Sequence, residues 1–210
     1  MADIAFKRAR GVVYRATTYD TCLWVSPNSR SGRWNDPQTG TISQYCTLDV
    51  ASALAEMVRS ENLRKVEDAR ELSVSIWELR IDEGAVVDYS TPSLAEDQGF
   101  EWDALVSDGW GPCQAEARRL IAAGARGVIA PSAALPQGVT LTLFGPRTEI
   151  AWSVEPSLSI QIPARHILRG APGDGLVRDT RFFNEAYPDV APRNAQSLFN
   201  LDLNAERRIS

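Results

Sequence analysis

Histidine occurs once in the 210 residues, as His166, so catalysis by a histidine-ligated metal is hard to build. Cysteine is nearly as scarce. Cys22, Cys46 and Cys113 are odd in number and widely spaced, with no C-x-x-C pair, which excludes both a disulfide framework and a zinc site of the usual spacing. No run of about 18 apolar residues is present to cross a bilayer, and the opening MADIAFKRAR lacks the apolar core of a signal peptide, so a cytoplasmic protein without membrane contact is expected. Positive charge is in deficit. With 22 Lys and Arg against 27 Asp and Glu, a net charge of −5 and a pI of about 5.0, the chain repels a phosphate backbone, and direct nucleic-acid binding is not expected. The short cluster Lys7, Arg8 and Arg10 reads as a solvated face. Also missing are G-x-x-x-x-G-K-[ST], G-x-G-x-x-G after a strand, G-x-S-x-G and H-E-x-x-H. The glycine-rich run from Gly170 to Gly175 opens no clear helix and reads as a surface turn.

What is present suits one globular core. The hydrophobic share is 44% and the charged share 23%, and a chain of this length buries roughly 70% of its unfolded surface on folding. Gly11–Ala16 reads as a short strand, followed by a long polar loop from Thr17 to Gly40 that holds Trp24, Trp34 and two arginines, with one turn of order expected around Leu23–Val25. Thr41–Cys46 alternates as a strand. Asp49 can cap the helix after it, in which Val50, Ala53, Leu54, Met57 and Val58 form a core-facing stripe, with Glu56 about 130° from the stripe's centre at 100° per residue.

Leu72–Ile81 is a strand whose apolar positions change face near Trp77, by a bulge or by burial on both sides. One or two short helices follow Pro92. Cys113–Ala123 is a helix closed by Gly124, with Ala115, Leu120 and Ile121 read as its inward residues. Gly127–Ala130 is a buried strand running into Pro131 and Ser132, and Val139–Phe144 and Leu158–Ile162 supply two more. Helices interspersed among strands without a regular βαβ rhythm point to an α+β fold. The chain divides into a body over 1–164 and a tail over 165–210 that packs on the body or on a partner.

Five polar residues stand at strand ends or on the helix after a strand: Arg15, Arg33, Tyr45, Glu56 and Ser132. They sit in an ordered series of short motifs, V-Y-R-A, G-R-W-N, Q-Y-C-T, A-L-A-E, C-Q-A-E-A and A-P-S-A-A, running from about Val12 to Arg147. No single motif is specific. Six in this order resemble the RES domain, a family named for Arg, Glu and Ser residues.

The resemblance implies a single compact α+β domain similar to ADP-ribosyltransferases, with small mixed or antiparallel sheets and flanking helices around an NAD-binding cleft. It implies NAD+ as substrate, with no metal, and cleavage of the nicotinamide–ribose bond by hydrolysis or phosphorolysis. An ADP-ribosyltransferase acting on a protein, or a non-enzymatic module that holds a partner, are the alternatives. Family members resemble bacterial toxins neutralised by an Xre-type antitoxin, and whether several copies assemble is left open. Such chemistry suits a chain with one histidine, because nicotinamide leaves as a neutral molecule and needs no general acid, while the ribose becomes an oxocarbenium-like cation.

In that setting Glu56 is the anion beside the sugar, Arg33 and Arg15 hold the diphosphate or ribose, and Tyr45 stacks on a ring or bonds a ribose. Ser132 bonds a phosphate or the Glu56 carboxylate, and Gln114 supports the site from behind. Trp34 is expected to pack beneath the site, and Asn35 to satisfy backbone groups. Plain structural readings stand beside these: an exposed helical glutamate, an ion pair at Arg15, a half-buried aromatic at Tyr45, a serine turn at 132. His166 lies outside the motifs and reads as structural or exposed. Two positions depart from the family pattern. Ser31 stands where a second glycine often precedes G-R-W, and Gly138-Val139-Thr140 stands where an asparagine often follows P-S.

Overall fold

The computed structural model describes residues 4–18, 22, 31–60, 73–135, 137–145, 151–152, 158–161 and 206–207. Expectations for Leu23–Val25, Trp24, His166, the 170–175 turn and most of the 165–210 tail lie outside them. Among the described residues there are eight strands: β1 (Phe6–Thr17), β2 (Ser43–Thr47), β3 (Ser73–Asp88), β4 (Gly127–Pro131), β5 (Val139–Phe144), β6 (Ala151–Trp152), β7 (Leu158–Gln161) and β8 (Glu206–Arg207). The helices are α1 (Val50–Ser60), α2 (Pro92–Asp97), α3 (Trp102–Val106) and α4 (Gly111–Ala122). None is long and apolar enough to cross a membrane.

The sheet runs β6-β3-β4-β5-β2-β1-β8, with β7 also on β3 and a further pairing of β1 with β3. That last pairing closes β3, β4, β5, β2 and β1 into a ring. β1 and β3 are its long walls, antiparallel from Lys7 opposite Val86 to Thr17 opposite Ser75. β3 and β4 are parallel, Val86–Asp88 beside 127–129, whereas β4–β5, β5–β2 and β2–β1 are antiparallel. The result is a mixed α/β domain built on one sheet with few helices, as the α+β reading expects at that level.

Ala9 and Val13 of β1, Cys46 of β2, Trp77 and Leu79 of β3, Ile129 of β4 and Leu141 and Leu143 of β5 meet in one buried cluster, so every strand of the ring contributes to its filling. A second cluster packs Val50, Leu54, Ala55 and Val58 of α1 against Val74 and Ile76 of β3 and residues 134–135. A third joins α2, α3 and α4 to β4 through Ala95, Leu105, Ala117, Leu120 and Val128. The change of face near Trp77 is burial on both sides. Ile76 and Trp77 are both buried, the β1 register runs through them unbroken, and the irregularity lies instead between Lys7 and Ala9. Trp77 satisfies its indole by donating Nε1–H to Thr17 Oγ1 at 2.8 Å.

Two expectations are corrected. α4 turns Cys113, Glu116, Ala117 and Leu120 inward, while Ala115 and Ile121 are exposed. A charged residue reaches the inner face because Arg119 and Tyr89 neutralise and bond it, so apolar periodicity placed Leu120 inward correctly but Ala115 and Ile121 wrongly, and missed Glu116. Lys7 is not freely solvated either: it pairs at 3.1 Å with Asp88, whose side chain is 4% exposed.

Candidate active site

The loop before β2 is a tight turn. Gly32 N–H donates to Asn35 O at 2.9 Å and Asn35 N–H returns to Gly32 O at 3.3 Å, which pushes Arg33 outward and Trp34 inward. Trp34 is 1% exposed and stacks on Tyr89, ring centroids 6.2 Å apart and planes within 6°. Ser43 Oγ holds the Trp34 carbonyl at 2.6 Å, and the Trp34 N–H donates to Tyr45 Oη at 2.9 Å. From α4, Gln114 Nε2 reaches Ser31 Oγ at 2.9 Å, Gly32 O at 2.9 Å and Asn35 O at 3.2 Å. At position 32 any larger residue displaces the Tyr45 side chain. A Cβ there would lie 2.8 Å from the Tyr45 hydroxyl.

Asp49 starts α1 by accepting from Ser52 N–H at 2.7 Å, as the capping argument expects. α1 then carries Glu56, off the apolar stripe, to the end of β4. There Ser132 Oγ accepts from the N–H groups of Ala134 at 3.1 Å and Leu135 at 3.0 Å and donates to Glu56 Oε1 at 2.5 Å. A hydroxyl has one proton and two lone pairs, so two backbone donors leave that proton for the carboxylate. Ser132 N–H is held in turn by Gly138 O at 2.8 Å, and a Cβ at 138 would stand 2.6 Å from Ser52 Oγ and 3.1 Å from Ser132 Cβ. The close approach explains why glycine occupies this stretch.

Arg15 on β1 donates to Oε1 of the buried Gln44 at 2.7 Å. Arg33 donates Nη1–H to Ala104 O at 3.2 Å and Nη2–H to Ser107 O at 2.7 Å, tying the turn to the end of α3. Guanidinium has five N–H donors, so these bonds anchor the side chain without exhausting it.

A cleft of about 540 Å³ opens between α1, β1, β2 and the 31–34 turn. Arg15, Arg33, Tyr45 and Glu56 all line it, gathered from four separate stretches of chain; Ser132 and Gln114 stand behind the wall, each bonded to groups that form it. Burial of its hydroxyl raises the Tyr45 pKa above the ordinary phenol value, the Trp34 N–H opposing this in part, so the group carries its proton at neutral pH. Burial likewise pushes the Cys46 thiol, also in the wall, up to about 11 against the pull of Arg15, so it is no thiolate nucleophile.

Sequence reasoning passed over Arg59 and Trp110 in the cleft and Glu116 outside its lining. Arg59 lies three positions past Glu56, donates to Ala133 O at 2.9 Å and pairs at 2.5 Å with Asp108. Its i,i+3 relation to Glu56 was the available signal. Trp110, just before the Gly111-Pro112 start of α4, is 41% exposed and lines the cleft with Asp108. Glu116, two residues past Gln114, accepts from Tyr89 Oη and takes Arg119 Nε at 2.8 Å and Nη2 at 2.6 Å. The triad lies directly beneath the Trp34 stack. Among the described residues no group of three His, Cys, Asp or Glu comes together as a metal site would require.

Comparison with known proteins agrees with the motif order. No curated protein sequence matches the chain. Among solved structures, a chain from the crystal structure of the M. tuberculosis MbcT-MbcA toxin-antitoxin complex is similar in fold, at 20% identity and a TM-score of 0.50, over 77% of this chain and 88% of that one. The RES domain family's profile matches residues 5–163, which spans both long walls of the ring and every residue of the cleft: the chain belongs to the RES domain family.

Proposed function

We propose that the cleft binds NAD+ and breaks its nicotinamide–ribose bond, and that the protein is the toxin of a toxin–antitoxin pair. The observation that carries this is the convergence of Arg15, Arg33, Tyr45 and Glu56 on one cavity, with Glu56 held from behind by Ser132. As the pyridine departs, positive charge grows on the ribose, and a fixed carboxylate beside it lowers the barrier without reorganising. Removing one such preorganised group costs about 2.7–4 kcal/mol. Ser132 occupies Oε1, so Oε2, which has no protein partner among the described residues, is the atom for the sugar or for an incoming water or phosphate.

Tyr45 accepts from Trp34 N–H and so keeps its own proton to donate to a ribose hydroxyl. Arg33 and Arg15 supply charge-assisted bonds to the diphosphate, each worth roughly 1.5–3 kcal/mol when partly buried. This catalytic unit corresponds to 1–164 and resembles ADP-ribosyltransferases in its task. An Xre-type antitoxin is the proposed partner; the similar fold in a toxin-antitoxin complex supports that.

Nicotinamide release from NAD+ by purified protein is the test. Wild type releases it, and Glu56→Gln releases it about 100-fold or more slowly, the loss that a missing preorganised charge produces, with an unchanged melting temperature. Equal, slow release by both proteins refutes the role of Glu56.

A further inference from the structure

Tyr45, Trp110 and Ile121 are the exposed large hydrophobic residues among those described, and two of them, Tyr45 and Trp110, line the same cleft. A tryptophan normally buries a large part of its roughly 150–250 Å². Trp110 keeps 41% of its surface open although its backbone is firmly placed. The Trp110 carbonyl accepts from Gln114 N–H at 2.9 Å, Ser107 O is held by Arg33 at 2.7 Å, Asp108 by Arg59 at 2.5 Å, and Gly109 O accepts from Ser107 Oγ at 3.2 Å. An indole on an ordered loop loses little further freedom when a flat ligand settles on it.

We infer that Trp110 is the stacking platform for the adenine base of the dinucleotide, an inference that rests on the NAD+ reading above. Two aromatic faces and the guanidinium groups of Arg15 and Arg33 in one cleft match a ligand that has a ring at each end of a diphosphate. The faces are not equivalent. Tyr45 is bonded to the backbone N–H of Trp34, next to Arg33, and lines the cleft with Glu56, which assigns it to the reacting ribose. Trp110 belongs to the 107–110 segment clamped by Arg59, about one helical turn beyond Glu56, where the second nucleoside would lie. Stacking reads any π face and needs no hydrogen-bond code, so this end of the cleft favours a base without demanding its edge groups.

The experiment compares wild type, Trp110→Ala and Trp110→Phe by nicotinamide release, with the KM for NAD+ and the inhibition constant of AMP, which carries adenine but no nicotinamide. Trp110→Ala raises both constants about ten-fold or more, the equivalent of about 1.4 kcal/mol, with kcat within two-fold and the melting temperature unchanged; Trp110→Phe restores most of the loss. A KM in Trp110→Ala within two-fold of wild type, an AMP constant that does not move with it, or a Phe variant as weak as the Ala variant overturns the assignment. If wild type itself releases no nicotinamide, the NAD+ reading has failed and this inference with it, an outcome separate from a failure confined to position 110.

Discussion

Ser132 shows how one residue can be both a local fold element and part of a site. Its hydroxyl satisfies two buried backbone N–H groups and orients Glu56 with its only proton. Ser132→Ala therefore strands two buried donors and frees the carboxylate to rotate. We expect a loss of about 1–3 kcal/mol in stability together with a fall in kcat of about ten-fold or more, while the KM for NAD+ changes little. Chemical denaturation and steady-state kinetics read the two effects separately, and a variant that loses stability but keeps kcat would make Ser132 a turn residue only. Gly32 and Gly138 are fixed by contact with such groups, the Tyr45 hydroxyl in one case and Ser52 and Ser132 in the other. The sequence named Ser132, Tyr45 and Glu56 because they recur in an ordered set of motifs. It left two partners open for Ser132, a phosphate or the Glu56 carboxylate, and only the end of β4, which brings together residues 76 apart in the chain, selects the carboxylate.

At the scale of elements, the Trp34 turn rests on α4 at two depths. Gln114 grips its backbone, and Tyr89, bonded to the Glu116–Arg119 pair, supports its ring. Tyr89→Phe keeps the ring and removes one donor to Glu116, which Arg119 still bonds. It is expected to cost about 1–2 kcal/mol, or about 2–8 °C in melting temperature for a chain of this length, with nicotinamide release within a few-fold of wild type. Tyr89→Ala removes the support itself and lowers activity as well as stability. Equal activities in the two variants would show that the stack does not position the turn. Apolar periodicity placed α4 correctly and turned Leu120 inward, but it missed Glu116, because a glutamate looks solvent-facing until its cation and its phenol are seen in three dimensions.

At the scale of the whole molecule, the filled ring sets how the protein responds to alkali. Cys46 and Cys22 are buried in the ring's core cluster, and their thiols are raised from the ordinary 9.0 to about 11. Above pH 9 the unfolded chain gives up these protons while the folded one keeps them, so stability is full below pH 9 and falls as pH rises toward 11. For Cys46 the slope approaches about 1.4 kcal/mol per pH unit. Melting curves between pH 8 and pH 10.5 should show this decline, shallower in Cys46→Ala; a flat profile in wild type would contradict the burial of both thiols.

The sequence by itself determined the buried apolar stripes, the existence of most strands and helices, the capped start of α1, and the six residues offered as a site. These depend on local pattern and on motif order, which a linear chain displays. Only the tertiary structure decided that β1 and β3 close the ring, that the face change at Trp77 is two-sided burial, that Glu116 points inward, and that Arg59 and Trp110 share the cleft with Glu56. Those outcomes depend on pairings between residues far apart in the chain, and the free energy of such a pairing has no trace in either residue's neighbours.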